Sequence, residues 1–177
     1  MATFTIQAQP VYASTNPITC GGSNGSITIS GMAPNTTYSL TYNDDTTVVG
    51  PIIVSSNTSG NIVINNLNSG TYSNFLLTIN GCSFPKNASI VLVDPSIPTV
   101  TVNSATVCNG LSATIAATPG SAGTYSYVWT VPTGATNPGN VDSFSASVEG
   151  PYGVVITNTV TGCSSTSASG TLTLNPI

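Results

Sequence analysis

A strand-like segment that begins with Gly-x-Tyr and ends in Gly-Cys occurs twice in this chain of 177 residues. The first copy covers residues 70–82 and the second covers residues 150–163. An earlier cysteine precedes each copy, Cys20 in the first half and Cys108 in the second. We therefore predict one structural plan used twice, in which a late strand is tied to an early strand.

The four cysteines are predicted to form one disulfide in each copy, Cys20–Cys82 and Cys108–Cys163. The spacings lack the short Cys-x-x-Cys pattern, and the chain lacks the histidines, of a zinc site. Four reduced cysteines in the core of a cytosolic protein are the alternative. Disulfides predict an oxidising, extracytoplasmic compartment.

Apolar residues alternate with Ser, Thr and Asn along most of the sequence. In residues 25–30, for example, two isoleucines share one face of a strand. Similar short segments recur with turn residues between them, and no segment carries a capped helical stripe. The pattern predicts an all-β protein built from sandwiches. Trp129 lies in an aromatic strand, residues 124–131, and is predicted to be a core residue.

The sequence Asp-Pro-Ser-Ile-Pro at residues 94–98 predicts a domain boundary, because proline cannot donate a ladder hydrogen bond. We expect domains at residues 1–96 and 97–177. A short proline-containing link is semi-rigid, so we expect the two domains to follow one another end to end with limited bending. A similar proline near the C-terminus suggests that the chain is part of a longer array of such domains.

Charged residues make up only 3% of the chain, and the net charge is −4 with a single lysine. Phosphate binding needs clustered basic residues, so the composition argues against nucleic acid and anionic membranes as partners. The sequence has no run of about 18 apolar residues that would span a bilayer. With so few charges, the side chains of Thr and Asn must supply most of the polar groups that hydrate the surface.

The side chains offer little for catalysis, because the chain has no histidine to act as a base. The one adjacent carboxylate pair, Asp44 and Asp45, reads as a turn, so we predict that the chain is not an enzyme. No cofactor is expected, although Asp94 with Asp142 could hold a structural calcium ion. Tyr12 and Tyr42 are the aromatic residues least committed to a core, and aromatic rings can stack on sugars.

Two segments carry a family resemblance. Residues 18–29, Leu67 to Tyr72 and the Asn80-Gly81-Cys82 end resemble a SprB-type repeat of the surface adhesins of gliding Bacteroidota. The second half, with Tyr127-Val128-Trp129 and Gly162-Cys163, is similar to PKD-like or immunoglobulin-like modules of the same large proteins. The resemblance implies two tandem immunoglobulin-like or PKD-like β-sandwich domains.

The function implied by this resemblance is that of a repeat segment in a type IX-secreted adhesin of gliding motility or surface attachment. Such a segment would act as a rigid stalk and presentation unit. Its expected partners are neighbouring repeats of the same polypeptide, with surface glycans or abiotic surfaces as further candidates. The alternatives are a carbohydrate-binding module of a secreted hydrolase and a self-associating subunit of a filament or sheath. The sequence leaves the binding residues unknown.

Overall fold

The computed structural model describes residues 9–176, which contain β-strands and turns. The chain divides into two compact units, Met1–Pro95 and Ser96–Ile177. An expected edge strand at residues 4–6 lies outside the described residues. The strands of the first unit are β1 Val11–Thr15, β2 Gly25–Ser30, β3 Thr37–Asp44, β4 Thr47–Ser55, β5 Ile62–Leu67, β6 Gly70–Ile79, β7 Cys82–Lys86 and β8 Ile90–Leu92. Those of the second unit are β9 Val100–Val102, β10 Ala105–Cys108, β11 Ala113–Pro119, β12 Tyr125–Thr130, β13 Ser143–Ala146, β14 Gly150–Asn158 and β15 Ala168–Asn175.

The first unit consists of two sheets that pack face to face. One sheet has the order β1-β2-β5, and the other has the order β4-β3-β6-β7. Strand β8 pairs with the first residues of β6, whereas β7 pairs with its last residues, so the two together flank one side of β6. Buried side chains from both sheets, including Ile29, Leu40 and Leu77, form one core cluster.

The second unit repeats this arrangement with different edges. Strands β9, β11 and β13 form one sheet, and β10, β15, β14 and β12 form the other. Strand β10 runs parallel to β15, with Ala105 opposite Leu172. The core contains Ile115 from the first sheet with Val154 and Ile156 from the second.

Strand order and corner residues make both units immunoglobulin-like. In an immunoglobulin domain, strands A, B and E pack against C, F and G. Strands β9-β11-β13 and β12-β14-β15 reproduce that order, and the first unit does so with β4 added beside the C-type strand β3. The Tyr72 hydroxyl donates to the Asn68 carbonyl at 3.0 Å, and the Tyr152 hydroxyl to the Val148 carbonyl at 2.7 Å. Each is a tyrosine corner at the start of the F-type strand.

Trp129 is 3% exposed, which confirms that it is a core residue. Its ring contacts Phe144 edge-on, with centroids 4.9 Å apart, and its indole N–H donates to the Val141 carbonyl at 2.8 Å. In antibody domains, the corresponding tryptophan packs on a disulfide between the sheets. In the described part of this unit, aromatic and aliphatic side chains of the core, and no disulfide between the sheets, pack around Trp129.

The predicted cysteine pairing is wrong. Cys82 and Cys108 are exposed free thiols, whereas Cys20 and Cys163 are disulfide-bonded. Neither Cys20–Cys82 nor Cys108–Cys163 is therefore formed, and the expected disulfide within each unit is absent from the part of the chain described.

Strand length explains why the Cys20–Cys82 bond fails. The loop that carries Cys20 lies at the Gly70 end of β6, since the Gly21 amide donates to Asp94 and Leu92 pairs with Gly70. Cys82 pairs with Ile79 at the other end of β6. Ten extended residues span roughly 30 Å, but a disulfide needs Cα atoms within about 7 Å.

The same geometry separates the second pair. Cys108 lies opposite Asn175 on β15, beyond the pair formed by Gly150 and Leu172. The Cys163 carbonyl accepts a hydrogen bond from the Asn158 amide, at the far end of β14. In each repeat, the late cysteine follows the last residue of a long strand, whereas the early cysteine lies near the first residue of that strand. The two cysteines are therefore too far apart to bond.

Candidate functional site: a side cleft in the first unit

A cleft opens between the two sheets of the first unit, along the edge strands β1 and β7. Tyr12 of β1 pairs with buried Ile29, so it points towards the interior of the sandwich. Phe84 and Lys86 of β7 pair with buried Leu77 and Phe75, and they point to the same interior. Alternation along two edge strands therefore brings an aromatic pair and a lysine to one opening.

The cleft has a volume of about 390 Å³. Its walls combine apolar rings with small polar side chains. The residues that matter most for its chemistry are Pro10, Tyr12, Ser83, Phe84, Lys86 and Asn87. We call this set the side cleft.

Lys86 is the only cationic side chain of the sequence, since the chain has one lysine or arginine and no histidine. Its Nζ lies 4.7 Å from the centroid of the Tyr12 ring. An ammonium group over an aromatic face is held by the ring quadrupole. The positive charge is thereby fixed at the opening of the side cleft.

The Tyr12 ring packs inward against Phe75, with centroids 5.2 Å apart. Its hydroxyl is buried and has no hydrogen-bond partner among residues 9–176. Burial raises the pKa of Tyr12 to about 12, because the phenolate would be poorly solvated. Tyr12 thus presents its ring, and not its hydroxyl, to the side cleft.

The other aromatic candidate, Tyr42, belongs to the core. It is 6% exposed and stacks on Phe75 with centroids 5.6 Å apart. Desolvation, followed by the charge of Asp44, raises its pKa. The sequence could not separate Tyr42 from Tyr12, because both lie on alternating strands and only the sheet edges distinguish them.

The carboxylates singled out from the sequence lie apart from the side cleft. Asp45 occupies the β3–β4 turn, where its Oδ1 accepts a hydrogen bond from the Thr71 amide at 2.8 Å. Asp94 Oδ2 accepts from the Gly21 amide at 3.1 Å, while its buried Oδ1 has no partner within the described chain. No group of three or more metal-ligating side chains comes together in residues 9–176.

Sequence reasoning missed the role of Lys86 at this opening. The residue stands 74 positions after Tyr12 in the chain, and only the pairing of β7 with β6 brings the two together. A usable signal was present in the alternation of Phe84 and Lys86 on one face of a strand.

A second, smaller cleft of about 210 Å³ lies in the second unit beside Phe144 and Tyr152. Its other walls are small residues such as Ala135, Ser145 and Ala146. It contains no charged side chain from the described residues. Among residues 9–176, no helix is long and apolar enough to cross a membrane.

Comparison with solved structures finds immunoglobulin-domain proteins at low similarity. The titin domains z1z2 in complex with telethonin are 14% identical, with a TM-score of 0.36, and 96% of this chain and 99% of that chain are covered. The amphioxus IgVJ-C2 molecule is 17% identical with a TM-score of 0.38, covering 95% and 98%. The mouse nectin-like molecule 4 ectodomain is 13% identical with a TM-score of 0.34, covering 95% and 64%.

No family model matches the chain, and no curated protein matches it. The assignment of both units as immunoglobulin-like therefore rests on their strand order and on the two tyrosine corners. This sandwich architecture is common among cell-surface domains.

Proposed function

We propose that the chain is a non-catalytic repeat segment of a large secreted cell-surface adhesin. The observation that carries the proposal is the tandem of two immunoglobulin-like units, each with a core and a tyrosine corner of its own. Domains with separate cores can be strung together without sharing a site, as a stalk requires. Disulfide-bonded Cys20 and Cys163 support an oxidising, extracellular location.

The finer assignment follows the resemblance to SprB-type and PKD-like modules. It makes the parent protein a type IX-secreted adhesin of gliding Bacteroidota, with this segment as a rigid stalk and presentation unit. Its direct partners would be the neighbouring repeats. The domains expected at residues 1–96 and 97–177 would be one repeat each.

A domain replacement in the parent protein tests the spacer role. Residues 9–176 are exchanged for two unrelated immunoglobulin-like domains of similar length, and surface attachment of the cells is measured. A spacer predicts that attachment survives the exchange and falls when the segment is simply deleted. Loss of attachment in the exchanged protein, at normal surface abundance, would show that the segment itself contacts the target.

Strand β4 favours a second candidate function, lateral self-association into a filament or sheath. This edge strand of nine residues carries no charge, and its Val48 and Ile53 side chains are 64% and 75% exposed. Uncharged edge strands are templates for pairing with another chain, and Pro51 would confine such pairing to the residues on either side of it. Sedimentation velocity over a concentration series tests the idea.

The informative variant for that test is Ile53→Lys, and Val160→Lys, at a 76% exposed turn position, is the control. Self-association through β4 predicts larger species for the unchanged chain and the control but monomers for Ile53→Lys. A monomer at every concentration in all three proteins would exclude it.

A further inference from the structure

We propose that the side cleft binds a carboxylate-bearing sugar, such as a uronic acid within an acidic polysaccharide. The cleft joins the one cation of the chain to two aromatic rings and a set of neutral hydrogen-bonding groups. The proposal is independent of the spacer function, because a stalk unit remains a stalk whether or not its cleft is occupied.

The charge distribution selects an anionic group on the ligand. Five carboxylates and one lysine give the chain its net charge of −4, so the surface as a whole repels anions. Lys86 is the exception, and it is half-buried at the opening of the side cleft. Its ammonium has three N–H donors and no acceptor, so a carboxylate is its natural partner.

The walls select a ligand that has both an apolar face and hydroxyl groups. Phe84 and Pro10 present rings to the space, with Tyr12 lying beneath the Lys86 ammonium, and aromatic rings stack on the C–H faces of sugars. Asn87 offers an amide group at the rim, whereas the Ser83 hydroxyl lies 3.3 Å from Thr78 Oγ1. A volume of about 390 Å³ lies within the usual range for small-molecule sites.

The same edge is poorly suited to an added β-strand. Strand β7 carries Pro85 and Lys86, and proline and lysine are the residues that block pairing at an exposed edge. In the second unit, by contrast, β10 pairs in parallel with the corresponding strand β15. Within residues 9–176, no strand pairs with the outer edge of β7.

Titration of the isotope-labelled chain with trigalacturonate, followed by NMR amide shifts, tests the proposal. The matched ligand is the methyl ester of the same trisaccharide, which keeps the sugar body and removes the negative charge. We expect saturable shifts around Tyr12, Phe84 and Lys86 with the acid, and binding of the ester at least about tenfold weaker. Equal binding of both ligands, or shifts confined to another surface, would overturn the proposal.

Variants at Lys86 separate a specific contact from general charge attraction. Lys86→Gln is expected to lose at least about tenfold in affinity, and Lys86→Arg to keep most of it. Adding Thr130→Lys to Lys86→Gln restores the net charge on an exposed position of β12. Affinity that returns in this double variant, or that persists in Lys86→Gln, contradicts a site in the side cleft.

Two further outcomes count against the sugar. No shift with up to about 10 mM trigalacturonate would reject the site outright, because that concentration detects even millimolar affinity. Tighter binding of a short peptide with a free C-terminal carboxylate would show that the side cleft takes a protein partner. Amide spectra of each variant, compared before titration, establish that the fold is intact.

Discussion

The hydroxyl groups of two buried tyrosines, Tyr72 and Tyr152, differ in their hydrogen bonding from that of the half-buried Tyr12. Tyr72 and Tyr152 donate to carbonyls four residues earlier, whereas Tyr12 has a buried hydroxyl without a partner in the described chain. A buried polar atom that loses its water and gains no hydrogen bond destabilises the folded state. The tyrosine corners and Tyr12 should therefore respond to the same substitution with opposite signs.

Tyr12→Phe is expected to stabilise the protein by about 1 kcal/mol, because it removes an unsatisfied hydroxyl and leaves the ring beneath Lys86. Tyr72→Phe, the matched control, removes a made hydrogen bond and should destabilise by about 1 kcal/mol. Denaturant unfolding of the three proteins measures both changes. Destabilisation by Tyr12→Phe would mean that the hydroxyl has a partner in solution.

Stability is expected to fall as the pH rises above about 10. Burial raises the pKa of both Tyr12 and Tyr72 from 10.0 to about 12, and the charge of Asp44 adds to the effect at Tyr72. The unfolded tyrosines ionise first, so between these values the unfolded state binds fewer protons and gains in relative stability. The loss should level off beyond about pH 12.

Urea unfolding at a series of pH values from 8 to 11, with the free thiols blocked, measures this slope. Tyr72→Phe should make the decline shallower, since one of the two tyrosines whose pKa is raised to about 12 is gone. A midpoint that stays constant up to pH 11 would show that these hydroxyls ionise as readily in the folded protein as in the unfolded chain.

Native labelling with iodoacetamide is expected to modify two of the four cysteines, Cys82 and Cys108. Intact mass gives the count, and peptide mapping gives the positions. Four labels without reductant would restore the reduced-core alternative. No label at all would favour the two disulfides predicted from the sequence.

The cysteines also show what a sequence can and cannot predict at this scale. Their order along the chain correctly suggested a repeated plan, but it did not reveal which end of a strand each one occupies. Cys82 follows a strand of ten residues, and that length alone carries it out of reach of Cys20. Burial of Trp129 was predictable, because a large ring within an alternating strand has few other places to lie.

Most of the elements were predictable from alternation and turn residues. The all-β sandwich is confirmed, and the segments near Gly25, Thr37, Tyr125 and Gly150 are strands in the structure. Pairing across the sheets was not predictable, because period-two alternation assigns a face but not a neighbour. The alternation of Phe84 and Lys86 indicated a shared face, but the side cleft itself could not be predicted, since it depends on β1 and β7 being edges on the same side.

The approach of β15 to the β9–β10 connection leaves no room for a side chain at Gly170. A Cβ built there would collide with the backbone carbonyl of Asn103. Gly170→Ala is expected to cost about 1–3 kcal/mol of stability, because backbone cannot move aside as a flexible side chain can. Thermal unfolding measures the effect.

Gly153→Ala is the matched control for that variant. Gly153 lies on the neighbouring strand β14, where the nearest atom to a new Cβ would be 3.7 Å away. We expect a change within about 0.5 kcal/mol. Equal effects of the two substitutions would mean that glycine is needed in these strands for a reason other than close packing.

For the whole molecule, the scarcity of charge has a measurable effect. With one lysine and five carboxylates in 177 residues, few charge pairs exist for salt to screen. The melting temperature should change by less than about 3 °C between about 0.05 and 1 M sodium chloride. A larger shift would show that the carboxylates repel one another more than their spacing suggests.

The single lysine also determines where the protein can be cut by a protease that is specific for basic residues. A protease that cuts after lysine or arginine has one cleavable bond in the entire sequence, between Lys86 and Asn87. That bond lies at the end of β7, beside the ring that the lysine covers. Cleavage requires this edge to open locally, so digestion by trypsin, analysed after reduction of the disulfide-bonded cysteines, would yield two large pieces at a rate set by how often β7 detaches.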